Sequence, residues 1–263
     1  MAPKHERSEC SSALELRDVT ITAGKARLVE DVSLTLDAGK LTVMLGANGA
    51  GKSTVLGALA GDLRPASGQA LLDGAPLGAM PPRALAMRRA VVLQHAPMNF
   101  TLTVHEIVAL SRSPFGNSGP AADDVEERAL RELALMPLAG RDYATLSGGE
   151  RQRVQIARAL AQLQHNAASG LPGYLLMDEP TAHLDLKHQI IALEAARYFV
   201  DAGGAALCIL HDLALARDFG DEIVLMKNGR ITGRGEARSL LTAAAIADIF
   251  GIPGERAERL AMV

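Results

Sequence analysis

The chain has 263 residues, a formal net charge of -3, 3% aromatic residues and no tryptophan. That length buries one sizeable core with room for a smaller subdomain, while the charge and the scarcity of rings exclude the basic surface and stacking platform that a nucleic-acid partner requires. The longest apolar runs, LTVML at 41–45 and AALCIL at 205–210, fall far short of the ~20 residues that cross a bilayer.

The start, MAPKHERSECSS, carries charges where a secretory signal has its apolar segment, so residues 1–12 read as a solvated, disordered tail on a chain that stays in the cytosol. Cys10 lies in that tail and Cys208 inside an apolar run, so neither belongs to a disulfide framework or a metal site. From 14 to 36, apolar residues alternate (Leu14, Leu16, Val19, Ile21, then Val32, Leu34, Leu36) and are broken at 23–25 and 37–39, which predicts a hairpin. After it, short continuous apolar runs separated by helical stretches predict parallel strands covered on both faces, an α/β core.

LTVML leads into GANGAGKS at 46–53, which fits G-x-x-x-x-G-K-[ST] through Gly46, Gly51, Lys52 and Ser53. In such a strand–loop–helix context the backbone N–H groups of Gly46, Ala47, Asn48, Gly49, Ala50 and Gly51 form a nest for phosphates. Lys52 meets the outer phosphates, Ser53 can ligate Mg²⁺, and Thr54 is placed to add one phosphate contact. Three further runs end in polar groups: 91–93 in Gln94, 174–177 in Asp178 and Glu179, 208–210 in His211. In an open parallel sheet, ligands bind beyond the carboxyl ends of the strands, so these four segments converge on one site if their strands are neighbours. Asp178 can hold Mg²⁺ directly or through water. Glu179 can orient or deprotonate an attacking water, and is the general base of this reading. His211 can bond the outer phosphate or that water, with Asp212 capping the helix beyond, and Gln94 can reach Mg²⁺ or water through its amide oxygen.

Between 96 and 165 the strand signal disappears and helical periodicity takes over at 125–135 and 150–163, around the turn-rich SRSPFGNSGP at 111–120. This predicts a helical subdomain inserted into the core. LSGGE at 146–150 opens the second of those helices. Ser147, Gly148 and Gly149 make either a second anion-binding turn or a plain helix cap. Ser239 is predicted to cap a last helix ending near 250, and residues 251–263 show no register and read as a tail.

Taken together, these motifs resemble the ATP-binding subunits of ABC transporters over residues 14–250: Walker A at 46–53, Q-loop Gln94, signature 146–150, Walker B 174–179, D-loop Asp185 and switch residue His211. The resemblance implies a P-loop NTPase (RecA-like) core with an N-terminal antiparallel β-subdomain and an inserted helical subdomain. A single ATPase domain then spans 13–250, with 13–95 and 166–250 forming β-subdomain and core and 96–165 the helical part. It also implies ATP and Mg²⁺ as cofactors and a head-to-tail dimer in which Ser147, Gly148, Gly149 and Asp185 of one copy complete the site held by Lys52 of the other. Two transmembrane permease subunits, engaged near 94–106, would place the chain peripherally on the cytoplasmic face of the inner membrane.

Within the family, TVHEIVALSRSPFG at 103–116 resembles importers of iron chelates, haem and cobalamin. RDYATLSGGERQR, TAHLDLKHQ and the link QHNAASGLPG at 164–173 look most like the hemin importer ATPase, which implies a periplasmic haem-binding protein as an indirect partner. A ferric siderophore or cobalamin is the alternative cargo. A non-transport ABC ATPase is disfavoured, because that class fuses two cassettes or inserts a long coiled coil. His165, His183 and His188 read as solvated or loop residues. The family's adenine-stacking ring falls near Ala23, where Thr22 and Gly24 offer none. That leaves apolar contact, the Arg27 guanidinium or the phosphates alone to hold the nucleotide, and leaves selectivity between ATP and GTP open.

Overall fold

A computed structural model of the chain describes residues 13–93, 101–116 and 123–261. Strands β1 (Leu14–Ala23) and β2 (Ala26–Leu36) pair antiparallel with Leu14 opposite Leu36, Leu16 opposite Leu34 and Val19 opposite Val32. The period-2 apolar set therefore faces one side, and the chain reverses at Gly24, whose φ is +60°. β4 (Ser67–Leu72) adds to the free edge of β1, and the two-residue β5 (Ala75–Pro76) completes a four-stranded sheet in the order β2-β1-β4-β5.

The second sheet contains β3 (Leu41–Leu45), β6 (Arg89–Val92), β7 (Tyr174–Asp178), β8 (Ala205–Ile209), β9 (Glu222–Lys227) and β10 (Arg230–Gly235), in the order β10-β9-β3-β8-β7-β6. All its pairings are parallel except the β9–β10 hairpin at the edge. Every residue of β3, β7 and β8 is buried, which is why these strands read as unbroken apolar runs. Between the sheets lies α1 (Lys52–Ala60), whose Val55, Leu56 and Leu59 pack with Leu14 and Leu34 from one sheet and Leu176 and Leu207 from the other.

The opposite face of the parallel sheet is covered by α5 (Gly148–Gln164), α6 (Leu186–Asp201) and α7 (Leu213–Phe219), while α2 (Pro82–Arg88) leads directly into β6. Helices α3 (Val104–Ala109) and α4 (Asp123–Glu132) pack on α5, and one continuous apolar cluster runs from Val104, Ile107 and Leu130 through Val154 and Leu160 to Leu175 and Met177. α3 begins with a capping box: Thr103 and Glu106 satisfy each other's backbone N–H groups. The helix expected over 125–135 instead starts at 123 and stops at 132. Ala134 takes a left-handed φ of +52°, and Arg153 donates to the carbonyls of Leu133 and Ala134 at 2.7 and 3.1 Å. The terminal carbonyls are thereby capped by a side chain from a neighbouring helix.

Two further expectations are corrected. The C-terminal region holds three helices, α8 (Ala237–Leu240), α9 (Ala243–Phe250) and α10 (Gly254–Ala261). The cap of α9 is Thr242, which accepts from Ala245 N–H, and Ser239 lies inside α8. The stretch from 251 onward contains α10, with Ala257 fully buried and Arg217 donating to the carbonyls of Leu260 and Ala261. Its register is hidden in the sequence because α10 is held by tertiary contacts rather than by a broad apolar stripe.

The second correction concerns His165, which is buried rather than solvated. Its Nε2 lies 2.9 Å from Glu126 Oε1 and 3.3 Å from Ser111 Oγ, and Arg112 Nε donates to the same carboxylate oxygen at 2.6 Å. Burial pushes the Glu126 carboxyl up, but the Arg112 and His165 bonds outweigh it and hold it below the usual carboxylate range. This network ties α4 to the C-terminal end of α5. His183 and His188 remain near the surface, His188 beside Asp185.

Candidate functional site

The strand order places β3, β8, β7 and β6 side by side, with Met44 level with Ile209 and Ile209 level with Asp178. The condition for convergence is therefore met for the described strand ends. Gln94 lies outside the described residues.

A cavity of about 890 Å³ opens over these ends, lined by Asn48, Gly49, Gly51, Lys52, Ser53, Thr54, Glu179 and His211, and also by Arg27, Leu28, Asn228 and Gly229. The loop from Gly46 to Gly51 reaches α1 through left-handed turns at Gly49 (φ +78°) and Gly51 (φ +100°). A Cβ at Gly46 would lie 2.3 Å from the Met226 carbonyl oxygen, and one at Gly51 would lie 2.9 Å from the Leu28 carbonyl oxygen, so the glycines also answer close backbone approach. Ala50 is buried beneath the loop and its carbonyl accepts from Gly229 N–H at 2.9 Å. No side chain caps α1, whose first turn borders the cavity.

Lys52 is buried, and its Nζ donates to the carbonyls of Gly46 and Ala47 at 2.8 and 3.0 Å. Burial pushes its pKa down, while the charges of Glu179 and Asp178 pull it up. Asp178, at the end of β7, is raised by burial, with the Ser53 hydrogen bond opposing. Its Oδ1 is buried without a hydrogen-bond partner. An orphaned carboxylate oxygen beside a serine hydroxyl is the hard-oxygen donor pair a Mg²⁺ ion takes, so Ser53 and Asp178 fit that ion. Glu179 adopts a left-handed φ of +50°, a conformation costing about 1–2 kcal/mol for an L-residue. It turns its carboxylate out of the strand line to within 2.7 Å of His211 Nε2. Asp212, next in the chain, caps α7 by accepting from the N–H groups of Ala214 and Leu215.

Ser147, Gly148 and Gly149 do not line this cavity. Ser147 is the N-cap of α5 in a closed capping box, accepting from Glu150 N–H at 3.3 Å while Glu150 accepts from Ser147 N–H at 2.7 Å. Gly149 is forced to be glycine by approach, since a Cβ there would lie 2.8 Å from the His183 carbonyl oxygen. Asp185 caps α6 through His188 N–H at 2.9 Å and is also outside the cavity lining. All four are exposed or half-buried, so within one chain these residues form a separate rim.

The ABC transporter family model matches residues 29–182. The chain belongs to the ABC transporter family. It is 43% identical over 242 residues to the hemin import ATP-binding protein HmuV of Myxococcus xanthus, covering 91% of this chain and 90% of that protein. The relative of the same name in Rhizobium meliloti is 38% identical, with 89% of each chain covered. Among solved structures, the ATP-binding subunit of an ABC transporter superposes with a TM-score of 0.78 at 24% identity over 96% of this chain and 100% of that one, a likeness of fold. An inward-facing transporter described as of metal-chelate type superposes with a TM-score of 0.73 at 27% identity, covering 92% and 90%. The fold is that of the family's ATPase domains, and the chain is an ATP-binding ATPase subunit. No helix among the described residues is long and apolar enough to cross a membrane.

Sequence reasoning named the Arg27 guanidinium as one way to hold the nucleotide, and Arg27 does line the cavity, but it missed Leu28 beside it. Ala23, the position that aligns with the family's stacking ring, does not line the cavity. Asn228 and Gly229 were also missed, although Asn-Gly between two apolar runs is the signal of a two-residue hairpin. Both take left-handed φ values, +50° and +77°.

Proposed function

We propose that this chain is the ATP-hydrolysing subunit of a binding-protein-dependent importer that couples ATP binding and hydrolysis in a head-to-tail homodimer to haem uptake through two separate membrane permeases. The observation that carries the reading is the division of the motifs. Asn48, Gly49, Lys52, Ser53, Glu179 and His211 line one cavity, with Asp178 buried beside Ser53, whereas Ser147, Gly148, Gly149 and Asp185 stand outside its lining. A second copy, turned to present its α5 N-terminus, adds backbone N–H groups and a helix dipole to the outer phosphate.

In this reading Lys52 and the nest from Gly46 to Gly51 hold the phosphates, Thr54 adds one contact, and Glu179 takes the proton of the attacking water. His211, 2.7 Å from that carboxylate, holds it in position and links it to the phosphate end of the site. Bound Mg²⁺, held by Ser53 and Asp178 with Gln94 as a further oxygen donor, would neutralise phosphate charge. The cargo follows from the relatives named for hemin import. The metal-chelate type transporter is compatible with haem and equally with the second cargo reading, a ferric siderophore or cobalamin. Attachment to the cytoplasmic face of the inner membrane follows from the permease partners, with the haem-binding protein acting from the other side.

Two measurements test this. Glu179→Gln is expected to accumulate an ATP-bound dimer on size exclusion with turnover reduced about a hundredfold or more, and normal hydrolysis would refute the base assignment. In liposomes holding the cognate permeases, haem-loaded binding protein is expected to stimulate ATPase activity. Stimulation only by siderophore- or cobalamin-loaded protein would replace haem as cargo.

A further inference from the structure

The cavity is lined by more than the phosphate loop and the strand ends. Besides Lys52 and Thr54 it is lined by Arg27 and Leu28 from the start of β2 and by Asn228 and Gly229 from the β9–β10 turn, with no aromatic residue among the described lining residues. The first three residues of β2 are all exposed, so they project past the packed body of the hairpin. This part of the lining is built rather than incidental. Gly229 N–H donates to the Ala50 carbonyl, Glu30 N–H donates to the Gly229 carbonyl, and a Cβ at Gly229 would lie 2.8 Å from the Leu28 carbonyl oxygen. The turn and the strand are thus clamped to each other and to the phosphate loop. The Arg27 guanidinium is anchored along one edge: its Nη1 meets Glu30 Oε1 at 2.5 Å, and Arg230 meets the same oxygen at 2.9 Å. Edge pairing with a carboxylate leaves the planar faces of a guanidinium available.

We propose that Arg27 is the nucleobase platform of this ATPase, stacking its guanidinium on the base, and that it holds adenine and guanine nucleotides alike. The inference deepens the nucleotide site of the proposed function and rests on that reading. A guanidinium face recognises the π-surface that every base presents, so it contributes affinity without reading the base edge. The exposed pairing with Glu30 biases the arginine toward this edge-on geometry, and Leu28 supplies apolar contact beside it.

The test is calorimetric binding of ATP, GTP and inorganic tripolyphosphate, each with Mg²⁺, to the full chain and its variants. Arg27→Ala is expected to weaken ATP and GTP about tenfold each while leaving tripolyphosphate unchanged, and Arg27→Phe, which keeps a stacking face without the charge, is expected to restore most of the loss. The wild-type affinities for ATP and GTP are expected to agree within about tenfold. Unchanged ATP affinity in Arg27→Ala overturns the platform, and an equal loss for tripolyphosphate overturns it in favour of a charge effect on the phosphates. A preference for ATP over GTP beyond about a hundredfold overturns the tolerance. Failure of the wild-type chain to bind any of the three ligands refutes the nucleotide-site reading itself.

Discussion

Two helices of this protein begin with glycine-rich turns, and they solve the problem of their unpaired N–H groups in opposite ways. α1 follows Gly51 with no side-chain cap, over a loop that needs left-handed glycines and shelters a buried Lys52. α5 follows Ser147, whose hydroxyl and Glu150 close a capping box. The first turn is left to an external anion, and the cation that complements it lies in the same chain. The second is already satisfied as a helix start, and its nearby Arg151 and Arg153 are spent on the carbonyls of Ala144, Leu133 and Ala134, so a ligand shared with another copy is needed to give it a second use.

The largest expected effect comes from removing the cation at the first turn. Lys52→Ala is expected to lower the specificity constant for ATP by about a thousandfold in a coupled phosphate-release assay. Undiminished hydrolysis would dissolve the contrast between the two turns. Next, Gly149→Ala drives a Cβ to within 2.8 Å of the His183 carbonyl and is expected to cost about 2 kcal/mol in urea unfolding. No loss of stability would mean that α5 and the segment before α6 are not packed as described.

Ser147→Ala separates capping from catalysis. As a cap alone, its loss costs about 1 kcal/mol of stability. With the dimer role added, turnover is expected to fall about a hundredfold while ATP binding by dilute monomer stays unchanged. Parallel small losses in both would reduce the residue to a cap.

The smallest effect is a pH dependence. Backbone and hydroxyl bonds from Ser147 hold the Glu150 carboxyl below its ordinary value of 4.5. Because the folded value is depressed, its contribution is complete above 4.5 and disappears as pH falls through the lower folded value. Glu150→Gln keeps the box geometry and is expected to flatten this acid limb by about 0.3 kcal/mol, measured by urea unfolding between acid and neutral pH. An unchanged acid limb would remove Glu150 from the box.

Local chemistry makes much of this protein legible from residue order alone. Gly46, Gly51 and Lys52 declare a phosphate loop because only glycines permit its turns, Asp178 and Glu179 declare themselves by ending an apolar run, and Ser147 with Glu150 spell a helix cap. The hairpin alternation from Leu14 to Leu36 survives because strand periodicity is a property of the backbone. Other features depend on residues far apart in the chain. His165 is buried because α4 brings Glu126 against the end of α5, and α10 is held in part by Arg217, 43 residues away from Leu260. Asn228 and Gly229 join the cavity lining only because the β9–β10 turn packs on β2 and on the phosphate loop. The sequence by itself determined which residues can cradle phosphate, bind a hard cation and accept a proton, since these are properties of residue type and spacing. Tertiary structure alone decided that Leu28, Asn228 and Gly229 join Arg27 in the cavity lining and that the signature turn stands apart from it, since strand order and the packing of distant segments set those distances.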